Sequence, residues 1–437
     1  MFRHRCIAAA AMCCAAALFG ADWPQWRGPF FNGSTDAKNL PAALKDAVLW
    51  AAPMPGKGAS TPAVWRDRVF VTSTDRATGE LVGLCLDAGT GAVLWKITAG
   101  EDRKAPSGNT MATPSPATDG AAVYFLFGTG DLVAADFGGK TLWARALEKD
   151  HGEFVIKYGY SASPLLYKGK LYVSVMQNKD PARYHASDRA GPLDSFLLAI
   201  DPASGADLWK RVRATDATDE STETYATPVP YEGAGRAEIL VPGGEFLTGH
   251  DAATGAELWR WEYSPRGREV YQRLIPSAVP GAGLVYALRA RGRALFAVKG
   301  GATGRAGDGA LAWTMAESCP DEATPLLYGG KLFVLNGARK TMTCVDAATG
   351  ARIWQGGLGG GATWYASPTG ADGKVYCLSE RGETLVLSAG SSFEILSRGE
   401  LAADQGSCRS SIAIAGDRLY IRTEKNLFCA GAKGEAR

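Results

Sequence analysis

A hairpin signature returns along this chain at nearly constant intervals, and it limits the possible folds more than any other feature. Its clearest copy runs from Cys85 to Trp95: an apolar strand ending in Asp87, an Ala-Gly-Thr-Gly turn, and a second apolar strand ending in Trp95. Gly91 supplies a residue that takes positive φ at low cost, and the alternation of the flanks suits two half-buried strands. The pattern recurs at Asp201 with Trp209, at Asp251 with Trp259 and at Asp346 with Trp354, and one residue shorter from Asp136 to Trp143. A copy carrying an insertion ends at Trp313, and residues 387–396 keep the hairpin without the Trp. Trp50 and Trp95 are 45 residues apart, Trp95 and Trp143 48, Trp209 and Trp259 50, Trp313 and Trp354 41. Self-similarity at such a period marks a repeat architecture with about four strands per unit.

Two further marks keep the same register. A Ser/Thr-Pro pair or a variant of it opens each unit: Thr61-Pro62, Thr113-Pro114, Ser163-Pro164, Thr227-Pro228, Ile275-Pro276, Thr324-Pro325, Ser367-Pro368 and Ser410-Ser411. A β-rich run follows each one, as at Val69-Phe70-Val71, Leu171-Tyr172-Val173 and Leu419-Tyr420-Ile421. Each unit therefore reads as strand A, opened by the Pro, strand B, strand C ending in Asp and strand D ending in Trp; Pro at a strand's first residue costs no ladder bond. The eight marks predict an all-β, eight-bladed propeller of four-stranded antiparallel blades over 48–431. The last unit lacks a strand D, while Val48-Leu49-Trp50 is a strand D without a unit. The N-terminal strand is expected to complete blade eight and so remove an open edge.

The Asp-x-x-Thr-Gly-x-x-x-Trp hairpin resembles the tryptophan-docking motif of the pyrroloquinoline-quinone (PQQ) type β-propellers, a family that includes quinoprotein dehydrogenases and the BamB scaffold. The opening Asp22-Trp23-Pro24-Gln25-Trp26-Arg27-Gly28-Pro29 is similar to secreted bacterial PQQ-like propeller proteins. The resemblance implies structural docking roles for Asp87, Trp95, Trp143, Asp201, Trp209, Asp251, Trp259, Asp346 and Trp354. In the dehydrogenases of this fold it would also imply a quinone beneath a ring formed by adjacent cysteines, with a calcium held by Glu, Asn and Asp. The adjacent cysteines here are Cys13-Cys14, near the N-terminus, and a Cys-x-x-Cys-His haem motif is missing. The expectation is no cofactor and no metal, with PQQ and calcium as an alternative that the motifs do not support.

Residues 1–21 read as a signal peptide: Arg3 and Arg5 precede an apolar run from Ile7 to Phe19 that is too short to span a bilayer. A periplasmic or secreted protein is expected, without a lipid anchor, because Ala11-Met12 makes a poor lipobox before Cys13. Residues 22–47 form an irregular leader pinned by Trp23 and Trp26, and 432–437 a polar tail. Without Arg3 and Arg5 the chain has 45 basic and 45 acidic residues. With no basic stripe, nucleic-acid binding is not expected. Six cysteines remain: Cys85, Cys319, Cys344, Cys377, Cys408 and Cys429. Cys85 and Cys344 stand two residues before a docking Asp, where other units have Ala134, Ala199 and Gly249, a slot for a small apolar group under a Trp. That reading is preferred over a disulfide framework, and no pair is spaced like a zinc site.

Strand direction puts the D-to-A and B-to-C loops on one face of the ring. The unit ending at Trp209 carries extra residues at 144–160 and 177–195, both on that face. The residues just before each strand A supply the candidate ligand-binding set, Tyr160, Tyr225, Arg273, Glu322, Trp364, Tyr365 and Arg409: a polar, aromatic-lined channel mouth. His250 directly precedes a docking Asp and reads as scaffold, while His151 and His185 lie in the two insertions. One docking Asp per blade argues for turn hydrogen bonding, not catalysis. The expected function is a monomeric, non-catalytic scaffold or binding protein for a protein or glycan partner in the cell envelope. The alternatives are a quinone- or metal-dependent oxidoreductase of the quinoprotein type and a carbohydrate-binding or polysaccharide-acting propeller.

Overall fold

The computed structural model describes residues 22–106, 109–184, 192–263, 271–281 and 283–432. The signal-peptide expectation for 1–21, most of the tail and His185 lie outside them. Eight antiparallel sheets surround an axis. Blade one comprises strands Ala63–Trp65, Arg68–Asp75, Glu80–Asp87 and Val93–Glu101, hydrogen-bonded in that order from the inner strand A to the outer strand D. Successive A strands neighbour one another around the axis. Strands B and C are buried on both faces because a blade packs on either side, as Leu171–Val175 and Phe196–Ile200 show. Strands D, such as Asp207–Val212, form the exposed rim. Blade eight consists of Ala413–Ala415, Arg418–Arg422 and Asn426–Gly431, closed by Val48–Pro53 with Trp50 opposite Cys429.

The docking motif works across blade boundaries. Asp87 Oδ1 accepts hydrogen bonds from the N–H groups of Gly89 (3.0 Å) and Thr90 (2.8 Å) and from the Thr90 hydroxyl (2.8 Å). This fixes the turn, and the Trp of the preceding blade lies on it. Gly91 has φ +75, and a Cβ there would stand 2.5 Å from the Trp50 ring, so the position needs glycine twice over. The indole N–H of Trp50 then donates to Ala88 O (3.1 Å), Trp95 to Phe137 O (3.0 Å), Trp143 to Pro202 O (2.9 Å) and Trp209 to Ala253 O (2.7 Å). Trp313 donates likewise to Ala347 O and Trp354 to Gly390 O. The sequence suggests rings that are mostly buried; Trp95, Trp143 and Trp209 are instead half-buried at the rim, because strand D has no further strand outside it.

The irregular copies have physical causes. In blade five the C-to-D connection is an insertion, and its residues Gly304–Ala306 add a fifth, parallel strand to blade four beside Glu257–Glu262. Trp259 therefore has no neighbouring turn to dock on; it is 1% exposed and donates to Glu238 Oε2 of its own blade (2.6 Å). Blade seven has Ser397 in the Trp place, opposite Val386. The blade after it has no C-to-D turn at all, since its strands C and D come from opposite ends of the sequence. Opposite each repeat Trp stands a small residue: Cys85, Ala134, Ala199, Gly249, Ala297 and Cys344. Burial pushes the Cys85 and Cys344 thiols up to about 12, and all six cysteines of the described residues are buried and free.

The Ser/Thr-Pro marks need correction in three blades. The equivalent position is two residues before strand A, which is Ser115-Pro116 in place of Thr113-Pro114, Ser277-Ala278 in place of Ile275-Pro276, and Ser411-Ile412 in place of Ser410-Ser411. The hydroxyl explains the residue type. Each accepts the backbone N–H of its counterpart one blade earlier: Thr61 N to Ser115 Oγ, Ser115 N to Ser163 Oγ, Ser163 N to Thr227 Oγ1 and Thr227 N to Ser277 Oγ, all 2.9 Å. Ser277 N to Thr324 Oγ1 (3.0 Å), Thr324 N to Ser367 Oγ (3.0 Å) and Ser411 N to Thr61 Oγ1 (3.1 Å) continue the belt. Between blades seven and eight the link is Thr369 Oγ1 to Ile412 O (2.8 Å).

The leader is an ordered plug. It bonds the far ends of strands A in turn: Trp23 N to Val64 O (2.9 Å), Thr118 N to Pro24 O (2.9 Å), and the Gln25 amide to both N and O of Leu166. Arg27, 1% exposed, donates to Pro325 O and Pro368 O on the other side of the ring. Gly33 O then accepts from Gly370 N (2.9 Å) before the chain enters blade eight. Among the described residues, no helix is long and apolar enough to cross a membrane.

Candidate functional site

The belt of hydroxyls forms the wall of a cavity of about 470 Å3 that opens between the D-to-A loops. Six of the seven residues singled out from the sequence line it: Tyr160, Tyr225, Arg273, Glu322, Tyr365 and Arg409. They meet because each precedes a strand A, and every strand A starts at the same height. Trp364 is the exception, fully buried and packed into the core between blades six and seven. Tyr158 and Asn109, which also precede strands A, line it as well, and sequence reasoning missed Trp26 as a lining residue. The leader carries Trp26 into the cavity from the opposite end; the Arg27 guanidinium lies 5.8 Å from the centroid of its ring. A chain segment crossing the axis has no periodic signal, so nothing in the repeats announces it.

One side of the mouth is a buried ionic cluster. The two insertions of blade three pack on each other, with Val155 N donating to Gln177 Oε1 (3.0 Å) and Asn178 N to Val155 O (2.9 Å). Beside them Glu223, fully buried, accepts from Lys157 N (3.0 Å), from Tyr225 OH (3.3 Å) and from Tyr184 OH. Its carboxyl is held above the usual range, chiefly by desolvation. Glu220, 2% exposed, pairs with Lys157 (3.1 Å), Arg291 (3.2 Å) and, at 3.6 Å, Arg273. Arg273 also grips Asp321 with two bonds of 3.1 and 2.9 Å. This guanidinium is thus committed to the scaffold as well as lining the cavity.

The other side is more open. Arg409 donates to Asn109 Oδ1 (2.8 Å) and Glu380 Oε1 (3.0 Å), and its guanidinium lies 5.9 Å from the Tyr365 ring centre. Glu322 has its carboxyl raised by desolvation first and by the neighbouring Asp321 second. The two described histidines stand elsewhere: His250 is buried, bonded to Gly255 O and Thr248 Oγ1 and pushed down to about 4 by burial, while His151 Nε2 lies 3.3 Å from Asp207 Oδ2. The docking aspartates sit in the turns of the opposite face, each satisfied by its own turn.

Among the described residues no three His, Cys, Asp or Glu side chains converge as metal ligands. Among the described residues no cysteine lines the cavity, its lining carboxylate is Glu322, and the acids beside the mouth, Glu220 and Asp321, are already held by Lys157, Arg273 and Arg291. The described residues do not fit a calcium-bound quinone.

Comparison with known proteins gives one fold, shared by proteins of different kinds. The family described as outer membrane protein assembly factor BamB matches residues 36–188 and 247–430. A polyvinylalcohol dehydrogenase of Pseudomonas sp is 29% identical over 194 residues, covering 43% of this chain and 28% of that protein. The match thus spans less than a third of that relative's length. The crystal structure of BamB from Moraxella catarrhalis superposes with a TM-score of 0.61 at 14% identity, covering 88% of this chain and 99% of the other. The quinohemoprotein alcohol dehydrogenase from Comamonas testosteroni gives 0.68 at 12% identity, covering 97% and 82%.

Proposed function

We propose that this chain, which belongs to the PQQ-repeat family described as outer membrane protein assembly factor BamB, is an exported, non-catalytic binding protein that takes a ligand or partner of the cell envelope at its channel mouth. The observation that carries this reading is the cavity itself. About 470 Å3 lined by aromatic rings, hydroxyls and guanidiniums is within the range of ligand sites. Its acidic groups on the blade-three side are spent on internal pairs, so they hold the mouth in shape. Glu322 stands without an imidazole or a second uncommitted carboxylate to complete a general acid–base pair among the described residues.

The test is a pull-down from native envelope with variants on the open side of the mouth. Tyr365→Ala and Arg409→Ala should each weaken capture while leaving the melting temperature unchanged, because aromatic and Arg side chains supply much of the energy at binding sites. Arg273→Ala is unsuited to this use, since it would remove the two-bond partner of Asp321 and one of the three cations around the buried Glu220. Lys140→Ala and Arg352→Ala, on the opposite turns, should leave capture intact. Binding lost in the opposite-face variants and kept in the mouth variants would refute the placement.

The similarity to polyvinylalcohol dehydrogenase favours a second reading, a quinone-dependent oxidoreductase. Incubation of the purified protein with PQQ and calcium, followed by absorbance and dye-linked alcohol oxidation, decides it. A bound quinone with turnover would replace the first reading.

A further inference from the structure

We infer that the ligand is the terminal unit of a neutral oligosaccharide, seated end-on in a blind cup whose floor is Trp26; this rests on the binding reading above. Three features select that chemistry. The first is the floor. Trp26 lines the cavity while the Arg27 guanidinium lies 5.8 Å from its ring centre, and Trp23 of the same segment is fully buried. A half-buried indole lining a polar well offers a platform for a flat apolar patch, such as the C–H face of a pyranose ring.

The second feature is the wall. A serine or threonine hydroxyl has one donor and two acceptor sites. In the belt each accepts one N–H from the neighbouring blade, and for Ser115, Ser163 and Thr227 no acceptor for their own O–H lies among the described residues. The belt therefore offers a ring of donors, each with a lone pair to spare, which matches the paired donor-and-acceptor character of sugar hydroxyls. The third is charge. Arg273 and Arg409 each face their own carboxylates, Asp321 and Glu380, so the mouth carries little net attraction for an anion. Their remaining N–H groups, with Asn109 and the Glu322 carboxyl, are suited to a neutral polyhydroxyl ligand. Because the leader closes the far end, a chain cannot thread the ring, and only an end can enter.

The experiment is calorimetric titration of the full mature chain with maltose, cellobiose, xylobiose and chitobiose and their linear hexamers, with hexagalacturonate as the anionic control. At least one neutral series should bind, with affinity the same within about threefold from dimer to hexamer, since the cup holds only the end. Trp26→Ala should weaken binding by about tenfold or more, and Trp26→Phe should retain it within about threefold, both without loss of melting temperature. No binding by any neutral series, tighter binding of hexagalacturonate, affinity rising steadily with length, or an unaffected Trp26→Ala variant would each overturn the inference. Capture of an envelope partner that depends on Tyr365 and Arg409, with no sugar bound, would leave the binding reading standing and remove only the saccharide.

Discussion

Two tryptophans at equivalent sequence positions should differ in what they contribute, and the structure gives the size of the difference. Trp209 is half-buried on the rim and its N–H reaches Ala253 O at 2.7 Å. Removing a fully buried aromatic costs about 3–5 kcal/mol. A half-buried ring should lose about half of that, and the hydrogen bond adds about 1 kcal/mol, so Trp209→Ala should cost roughly 2.5–3.5 kcal/mol. Trp259 is 1% exposed, and its N–H donates at 2.6 Å to Glu238, which is wholly buried. Trp259→Ala opens a full cavity and withdraws a donor from a buried carboxylate, so roughly 5 kcal/mol is expected. Urea unfolding at neutral pH, followed by far-ultraviolet circular dichroism, measures both, with Trp209→Phe isolating the N–H at about 1 kcal/mol. A cost at Trp209 equal to or above that at Trp259 would refute the cross-blade clasp as the reason for the repeat. So would a cost below about 1 kcal/mol at Trp209.

Other perturbations test the remaining architecture. Deleting residues 22–53 removes both the plug and the closing strand, and the product should aggregate on size-exclusion chromatography; a monomer with an unchanged melting temperature would contradict the closure. Ser163→Ala leaves the buried N–H of Ser115 without its acceptor and should cost about 1–3 kcal/mol, read from the same urea curves. The carboxyls of Asp87, Asp251 and Asp346 are held below the usual range, the first and last chiefly by their turn Thr and Asp251 by Thr254 and its turn N–H groups against desolvation. A lowered folded value means that the unfolded chain binds more protons, so this stability is present above about pH 4 and is lost as pH falls below it. The triple variant Asp87→Asn, Asp251→Asn, Asp346→Asn should therefore show a flatter stability profile between about pH 5 and 2.

Periodicity made the blades legible because every copy of the turn faces the same physical demand: a carboxylate to tie it and a glycine to receive the preceding indole. The mouth was legible for the same reason, as strand direction alone places Tyr160, Tyr225 and Arg409 at one end of the axis. Features outside the repeat were not. Trp364 lies next to Tyr365 in sequence, yet adjacent residues leaving a loop point to opposite sides, and one faces the cavity while the other enters the core. Thr113-Pro114 imitates the true register two residues early, and only the pairing of Ser115 with Thr61 and Ser163 separates them. The contribution of Trp26 depends on the path of an aperiodic segment through the ring.

The closing strand has a consequence for the order of events in folding. Its partner residues lie at the other end of the sequence, Val48 against Ala430 and Pro53 against Asn426, the most distant strand pairing in the molecule and so the slowest kind of contact to form. The strand need not search for its place when the C-terminal residues arrive. Trp23 is already bridged to Val64 and Trp50 to the turn at Ala88, both in blade one, so the early part of the chain can hold the latch at its post. Completion of the ring is then a local docking step, and the leader that crosses the ring serves beforehand as the jig on which the circle is closed.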